Sequence, residues 1–536
     1  MRDRNVQSRS VSTLAMMAAV SMLAACAGEE EPAPDPEPDP PVALPPPDPT
    51  PPAPPSPPAP VPTDPLDVEL FALIDEQGLS GDPSIGRDLP SIEDPLAQLG
   101  KRLFFTQALG GEFDSACVSC HHPVLGGGDA LSLSVGVHAV DPQLLGPGRG
   151  TVDGTPNVPR NAPSTFNIGL WDSSLFMDSR VESLTGTPLA NGAGGGISTP
   201  DSGNGVIDID AGANLTTAQA RFPVTSVEEM RGDLLANEPN DALRAHLALR
   251  LGDVGSAAGE IGATNWLAEF QAAFASAQPA EELITYDNIA LALAEYQRSQ
   301  VFVNNPWREY VLGNFDAISD NAKRGAILFF TDTNDDGGGC VQCHSGDFFT
   351  NEEHHVIGVP QFGPGKGVGP DGDADFGREL VTGNPNERFR FRTPTLLNIE
   401  VTAPYMHTGA YETLDEVLDH YNNPNGTVND FFDDGGWCDL DQFTGVADCE
   451  SLYPNAEALT DQALARIQAE RNADDPDALP NININNNERN LIEAFLLALT
   501  DPCVLDRDCL APWISAPEEA ADDHQINAVN VNGNPL

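Results

Sequence analysis

The sequence predicts a mostly α-helical protein made of two lobes that are joined by long loops. Apolar residues recur at helical spacing in several separate segments, and one apolar segment occurs twice, once in each half of the chain. No stretch alternates apolar and polar residues in the way that predicts β-strands. The chain has 536 residues, which is enough for two or three domains.

The N-terminus has the features of a targeting signal followed by a linker. Residues 1–25 have a basic start and a short apolar run that ends in Leu-Ala-Ala, directly before Cys26. This pattern resembles a bacterial lipoprotein signal, so we expect export to the periplasm or cell envelope with a lipid on Cys26. Because Ala27 is not Asp, we expect the outer membrane. An ordinary cleaved signal is the alternative. Residues 26–65 are rich in Pro, Asp, Glu and Ala and predict an extended linker.

The strongly acidic composition limits the partners of the chain. It has 81 Asp and Glu residues against 26 Lys and Arg residues, a net charge of −55. Nucleic acid and anionic membrane surfaces would repel such a chain, so we expect no nucleic-acid partner. A small basic protein would instead be attracted to it. Adaptation to a saline habitat or a GC-rich genome is the alternative explanation of this composition.

Five segments have the clearest helical periodicity. Between them lie long stretches rich in Gly, Pro, Asp and Asn. Loops of this length are unusual in a compact domain, and a large apolar cofactor among short helices would organise them. The predicted helices are Leu96–Phe105, Asp241–Leu251, Asn288–Val303, Leu414–Tyr421 and Arg489–Leu499.

Two copies of a Cys-x-x-Cys-His motif lie 223 residues apart. Two thiols at this spacing can form thioether bonds to the vinyl groups of haem, and the histidine that follows then lies beneath the iron as its ligand. We therefore predict two covalent c-type haems. A redox dithiol and a zinc site built from four cysteines are the alternatives. The first motif is formed by Cys117, Cys120 and His121, and the second motif by Cys340, Cys343 and His344.

Four further cysteines lie in two close pairs near the C-terminus. Disulfides persist in exported proteins, and two disulfides together with the two motifs and Cys26 would account for all nine cysteines. We predict one disulfide within each pair, Cys438 with Cys449 and Cys503 with Cys509.

A repeat divides the chain into its predicted domains. Each motif follows an apolar helix that ends in Phe-Phe, within residues 100–105 and 324–330. We expect an N-terminal haem domain at 66–312 and a C-terminal haem domain at 313–515, each a cytochrome c-like lobe with one covalent haem. Residues 516–536 are expected to form a flexible tail.

Four segments occur in the order found in one family: Leu99–Pro123, Arg160–Ser164, Arg392–Asn398 and Thr402–Gly409. The chain resembles bacterial di-haem cytochrome c peroxidases and the related MauG-type methylamine-utilisation enzymes, with gaps, from about residue 90 to 500. The resemblance implies that hydrogen peroxide reacts at the N-terminal haem. It also implies that electrons from a small cytochrome c or cupredoxin pass through the C-terminal haem. Family members often form homodimers.

The resemblance also implies roles for residues around the N-terminal haem. Glu229 matches the acid-base residue of the family and Gln219 a hydrogen-bonding residue of the same pocket. His138 matches a distal ligand that caps the iron in the resting enzyme. Peroxide cleavage needs a group that moves a proton between the two oxygens, and a carboxyl with a raised pKa can do so. A solvated loop residue is the alternative for His138, and an exposed acid at a helix end is the alternative for Glu229.

A calcium site between the lobes is a further implication of the resemblance. Asn161, Thr402 and Pro404 match the family positions that hold the ion, and their oxygens are suitable hard ligands. The acidic loop Asp201–Asp210 could form a second calcium site, although a flexible acidic loop is the simpler interpretation.

Two departures from the family pattern concern electron transfer. Tyr421 stands where the peroxidases have a methionine ligand to the C-terminal iron, with Met406 and His420 as rival ligands. Met177 stands where the family often has a tryptophan between the haems, and Trp171 is near it in sequence. We expect a cytochrome c peroxidase. The alternatives are a Tyr-ligated, MauG-like oxidase that acts on a protein or organic substrate, and a plain electron-transfer cytochrome.

Overall fold

A computed structural model describes residues 61–473 and 475–536. The predicted signal segment, Cys26 and almost all of the linker lie outside these residues. Among the residues that are described, no helix combines the length and the apolar character needed to cross a bilayer.

Helices dominate the described chain, as the sequence predicted. The first half contains α1 (Pro65–Gln77), α2 (Pro95–Phe105), α3 (Leu215–Gln219), α4 (Asn240–Gly252), α5 (Trp266–Ala273), α6 (Ala280–Leu283), α7 (Tyr286–Arg298) and α8 (Pro306–Val311). The second half contains α9 (Asp320–Phe330), α10 (Glu379–Thr382), α11 (Leu414–Asn422), α12 (Pro424–Asp433), α13 (Ala456–Asn472), α14 (Asn486–Leu497) and α15 (Arg507–Leu510).

Strands are short in the described part of the chain. The antiparallel strands β1 (Ser174–Leu175), β2 (Val181–Ser183) and β3 (Ile197–Ser198) form one sheet, in that order. The antiparallel pair β4 (His354–His355) and β5 (Phe391–Arg392) forms another. The sheets are too small to carry the core, which is built between helices and loops.

All five predicted helices are confirmed as α2, α4, α7, α11 and α14. The largest boundary difference is at α7, which ends at Arg298 instead of Val303. The backbone N–H of Phe302 donates to Oδ1 of Asn167 at 2.8 Å, and Nδ2 of Asn167 donates to the Phe302 carbonyl at 3.1 Å. These bonds to a distant segment replace the helical ones, so the apolar residues after Arg298 leave the helix.

The repeat seen in the sequence corresponds to a repeated helix pair. In the first half α2 packs closely against α7, because Gly100 has no side chain: a Cβ atom there would lie 1.9 Å from the carbonyl oxygen of Ala292. In the second half α9 packs against α14 in the same way, and a Cβ atom on Gly325 would lie 1.9 Å from the carbonyl oxygen of Leu491. In each pair one helix precedes a motif and the other helix follows it. Both helices of each pair contribute side chains to the lining around that motif.

The first and the last described segments both contact the opposite half. Leu70 and Ile74 of α1 belong to an apolar cluster that includes residues of α9 and α14. Residues 516–536, expected to be a flexible tail, instead pack against the first half. Thr106 and Trp266 donate hydrogen bonds to Asp522 at 2.9 and 2.6 Å, and Ile526 is only 1 % exposed. The polar composition of this segment hid the few residues that fix it beside α2.

A buried ion cluster connects the two halves. Nε and Nη2 of Arg160 donate to the Asp375 carboxylate at 2.6 and 2.9 Å, and Nη1 donates to Asp178 at 2.7 Å. All three side chains are less than a tenth exposed. Asp375 lies 215 residues away from Arg160, so this cluster fixes the second half against the first.

We predict that Arg160→Met lowers the free energy of unfolding by about 3 to 5 kcal/mol, because it leaves the buried Asp375 without its cation and Asp178 with Arg180 alone. Arg388→Met is the control: its pair with Glu379 is much more exposed, and we expect a loss below about 1 kcal/mol. Denaturant titration of the holoprotein measures both values. Equal, small losses in the two variants would contradict the role given to Arg160.

Candidate functional site

One large cavity brings the two motifs together. Its volume is about 410 Å³ and its lining is mostly apolar. Protein interiors are close-packed, so an apolar space of this size is suited to a large flat cofactor rather than to side chains. All six motif residues line it, namely Cys117, Cys120, His121, Cys340, Cys343 and His344.

The two motif histidines are oriented in the same way. Nδ1 of His121 donates to the carbonyl of Gly127 at 3.1 Å, and Nδ1 of His344 donates to the carbonyl of Phe349 at 3.1 Å. Because Nδ1 carries the proton, Nε2 keeps its lone pair for a metal. Burial lowers the pKa of both imidazoles, that of His344 to about 4, so both stay in the neutral form that binds iron.

The four motif cysteines are neutral thiols in an apolar setting. Burial raises the pKa of Cys117 and Cys340 to about 12 and that of Cys343 to about 11, and it also raises the pKa of Cys120. A reactive dithiol would have a lowered pKa. In residues 61–473 and 475–536 no three His, Cys, Asp or Glu side chains are grouped to hold a metal ion, which argues against the zinc alternative. These residues fit covalently bound haem.

The other four cysteines form the predicted disulfides. Cys438 is bonded to Cys449 and Cys503 to Cys509, with Cα–Cα distances of 5.8 and 5.3 Å. The motif cysteines are thus the free thiols of the described chain.

Glu229 and Gln219 lie at the first-motif end of the cavity. Gln219 ends α3, and Glu229 lies in a short π-helical turn, Val227–Arg231, whose first N–H groups are capped by Ser226. Such turns are rare and occur often at functional sites. Burial raises the pKa of Glu229, although the nearby cations oppose this shift. Oε1 of Gln219 is buried and has no hydrogen-bond partner in the described part of the chain.

Comparisons with known proteins agree with this geometry. Residues 94–316 match the family model described as di-haem cytochrome c peroxidase. The methylamine utilization protein MauG of Methylorubrum extorquens is 29% identical over 325 residues, which cover 60% of this chain and 67% of that protein. The cytochrome-c peroxidase IdrP1 of a Pseudomonas species is 27% identical over 367 residues, which cover 64% of this chain and 76% of that protein.

These matches confirm the resemblance of the chain to the di-haem cytochrome c peroxidase and MauG family. The chain is therefore similar to oxidoreductases that use two haems, as the sequence motifs predicted. A solved structure of a MauG-like protein associated with microbial copper homeostasis has the same fold, with a TM-score of 0.50 and 21% identity. The alignment covers 80% of this chain and 97% of that protein.

Most of the site residues expected from the family line the same cavity. Met177 and Trp171 also line it, and the guanidinium of Arg392 lies 3.3 Å from the Trp171 ring centre. The family-derived residues that the structure brings together with the motifs are Glu229, Gln219, Asn161, Thr402, Pro404, Tyr421 and Met406.

His138 is an exception, because the structure places it outside the cavity lining. Its side chain is 44% exposed, and its Nε2 lies 3.8 Å from Oε2 of Glu112. The backbone N–H of Val137 donates a hydrogen bond to the Glu228 carbonyl. The next residue, His138, adopts a left-handed backbone conformation, and its N–H donates to Asp114. This turn directs the chain away from the first motif, so the geometry does not support His138 as an iron ligand.

Helix α11 presents one stripe of residues to the second-motif end of the cavity. Leu414, Val417, Leu418 and Tyr421 all line it, at the spacing of one helical face. Burial raises the pKa of the Tyr421 hydroxyl.

His420 lies off this stripe and is not available to iron. Its Nδ1 accepts from the Tyr411 hydroxyl at 2.8 Å and its Nε2 donates to the Ile357 carbonyl at 2.7 Å, so both ring nitrogens are occupied. The expectation that His420 could be a rival ligand is therefore wrong. Met406 lines the cavity and remains the rival of Tyr421.

The predicted calcium ligands have free oxygens. Nδ2 of Asn161 donates to the Leu131 carbonyl, which orients the amide, and Thr402 lies beside the cavity with Pro404. The other acidic loop is held differently. Arg244 pairs with Asp201 and Arg221 pairs with Asp208, both at 2.7 Å, so arginines neutralise the carboxylates that a second calcium ion would need.

Sequence reasoning missed two cations at the first-motif end, Arg180 and Lys366. Both come from loops without helical periodicity, and Lys366 lies in a glycine-rich run. That run is the local signal that could have indicated a constrained loop; nothing in the sequence placed it beside Glu229.

We predict two covalent haems per chain when the protein is matured in a host that attaches c-type haem. Replacing both cysteines of one motif by serine should leave one haem, because each motif binds its own. A pyridine haemochrome assay and intact-mass measurement give the count. Zinc in place of haem, or a colourless protein, would contradict the assignment.

Proposed function

We propose that this protein reduces hydrogen peroxide to water at the first-motif end of the cavity, with electrons that enter through the second-motif end. The observation that supports this best is that Glu229 and Gln219 line one cavity with the first motif. A plain electron-transfer cytochrome needs neither a carboxyl nor an amide oxygen without a hydrogen-bond partner beside its metal site. The resemblance of the chain to the family agrees with this reading.

The chain's own residues would handle the protons of this reaction. Bound haem supplies the metal that binds peroxide and passes electrons. The Glu229 carboxylate would take a proton from one oxygen of the peroxide and return it to the other oxygen, which would leave as water. Gln219 orients the peroxide through its free oxygen. Overall, hydrogen peroxide, two electrons and two protons give two water molecules.

The electrostatics of Glu229 suit both halves of that proton transfer. Burial raises its pKa, which helps the carboxyl to hold a proton for the leaving oxygen. Arg180 and Lys366 lower its pKa and so limit the rise, which keeps the carboxylate available as a base. A pKa set between these effects is what an acid-base catalyst near neutral pH needs.

Tyr421 favours a second candidate function, that of a MauG-like oxidase. If Tyr421 and His344 both held the second iron, the phenolate would stabilise its oxidised state, whereas a methionine sulfur would raise the potential. Such a centre is better suited to oxidising a protein or organic substrate with peroxide than to storing a reducing electron.

The remaining parts of the proposal concern location and partners. We place the protein in the periplasm or cell envelope, with a lipid anchor on Cys26. The electron donor is a small cytochrome c or cupredoxin, which the net charge of −55 would attract if it is basic. A calcium ion held by Asn161, Thr402 and Pro404 and a homodimeric assembly complete it.

We predict that Glu229→Gln slows peroxide turnover by about 100-fold or more, because proton transfer by a positioned group contributes at least that much. Glu228→Gln is the matched control, since Glu228 is the exposed neighbour in the same turn. Stopped-flow measurements with both variants at full haem content give the rates. Unchanged turnover in Glu229→Gln would exclude its role.

We predict that Tyr421→Met raises the midpoint potential of one haem by an amount on the order of 100 mV, because sulfur replaces a phenolate at the iron. Met406→Leu should leave both potentials unchanged. Redox titration with near-infrared magnetic circular dichroism identifies the ligand. A shift in Met406→Leu with none in Tyr421→Met would make Met406 the ligand.

A further inference from the structure

The first-motif end of the cavity holds three cations. Arg160, Arg180 and Lys366 all line it, together with Glu229. Arg160 is neutralised by Asp375 and Asp178, and Nη1 of Arg180 lies 3.2 Å from the same Asp178. Two of the three cations are therefore paired with buried carboxylates.

Lys366 differs from the other two cations at this end of the cavity. It forms no salt bridge among the residues that the structure describes, whereas Lys101 lies 3.0 Å from Glu519 and Lys323 lies 2.7 Å from Asp67. These are the only three lysines of the chain, in a protein with a net charge of −55. A cation at the cavity without a salt-bridge partner among the described residues is suited to hold an anion there.

The backbone holds Lys366 in place. Its N–H donates to the Ala374 carbonyl at 2.9 Å, and the N–H of Gly367 donates to the Gly372 carbonyl at 3.0 Å. The loop can fold back this closely because Gly365 has no side chain. A Cβ atom at this position would lie 2.3 Å from the backbone of Asp373. The lysine is exposed, but the loop that carries it has a constrained backbone.

Arg180 approaches from the other half of the chain. Its guanidinium stacks over the Phe176 ring, 3.5 Å from the ring centre. The cavity has apolar side chains at this end, namely Phe176, Met177 and Phe391. Cations beside an apolar surface are complementary to a carboxylate on an apolar or aromatic body.

We propose that Arg180 and Lys366 form a carboxylate-binding site at the mouth of the first-motif end of the cavity. The site deepens the proposed peroxidase function and rests on it. Two sources present the same chemistry: a propionate of the first haem and a small organic anion that enters from solvent. Both would place a negative group beside the two cations.

Calorimetric titration of the holoprotein with benzoate, and with neutral benzamide of the same shape, tests the solvent source. If a soluble anion occupies the site, benzoate binds at least tenfold more tightly than benzamide. Lys366→Met and Arg180→Gln should each weaken benzoate binding about tenfold. Arg324→Met is the control, because it removes one exposed charge far along the chain from the site and should change nothing.

Resonance Raman spectra of the same proteins test the haem source. If a propionate occupies the site, benzoate does not bind, and the propionate bending bands shift in Lys366→Met and Arg180→Gln but not in Arg324→Met. The proposal is overturned if neither benzoate binding nor these bands depend on the two cations, or if benzamide binding falls equally. Neither readout requires peroxide turnover, so a failure of the Glu229 test remains distinguishable.

Discussion

The buried ion cluster of Arg160 with Asp178 and Asp375 determines how the rest of the site is arranged. A buried cation is stable only when its partners are complete, and here six polar atoms are matched in three short hydrogen bonds. The cluster spans the two halves of the chain beside the cavity. Asn161 follows Arg160, Arg180 follows Asp178 by two residues, and the Lys366 loop ends just before Asp375. One cluster therefore sets three separate parts of the site.

Charge is distributed unevenly between the surface and this cavity. The chain carries a net charge of −55, yet Arg160, Arg180, Arg392 and Lys366 all line the same interior space. A negative surface attracts a basic protein partner over a Debye length, whereas the cations at the cavity act on an anion only at short range. Neutral hydrogen peroxide is not affected by either field. The arrangement is consistent with the proposed function, in which a protein donates electrons at the exterior and hydrogen peroxide reacts at the interior.

Local signals were sufficient for part of the fold and the site. The close cysteine pairs and the periodicity of α2 and α14 depend on neighbouring residues, and the disulfides and helices that they predict are confirmed. The Cys-x-x-Cys-His spacing is also local, and both copies line one cavity. The end of α7 and the order of the C-terminal segment depend on contacts with Asn167 and Thr106, which are distant in sequence. Lys366 was missed for the same reason, because only the folded chain brings it to the first motif.

The contrast between His420 and Tyr421 shows where sequence alone could have gone further. Consecutive residues on an α-helix point about 100° apart, so both cannot face one iron. Thr413 and Glu416 form a capping box that fixes the start of α11, and from there the apolar stripe runs through Leu414, Val417 and Leu418 to position 421. His420 lies off that stripe and is used by Tyr411. The helix phase therefore leaves phenol oxygen, and not imidazole, as the group that α11 offers to the second metal site.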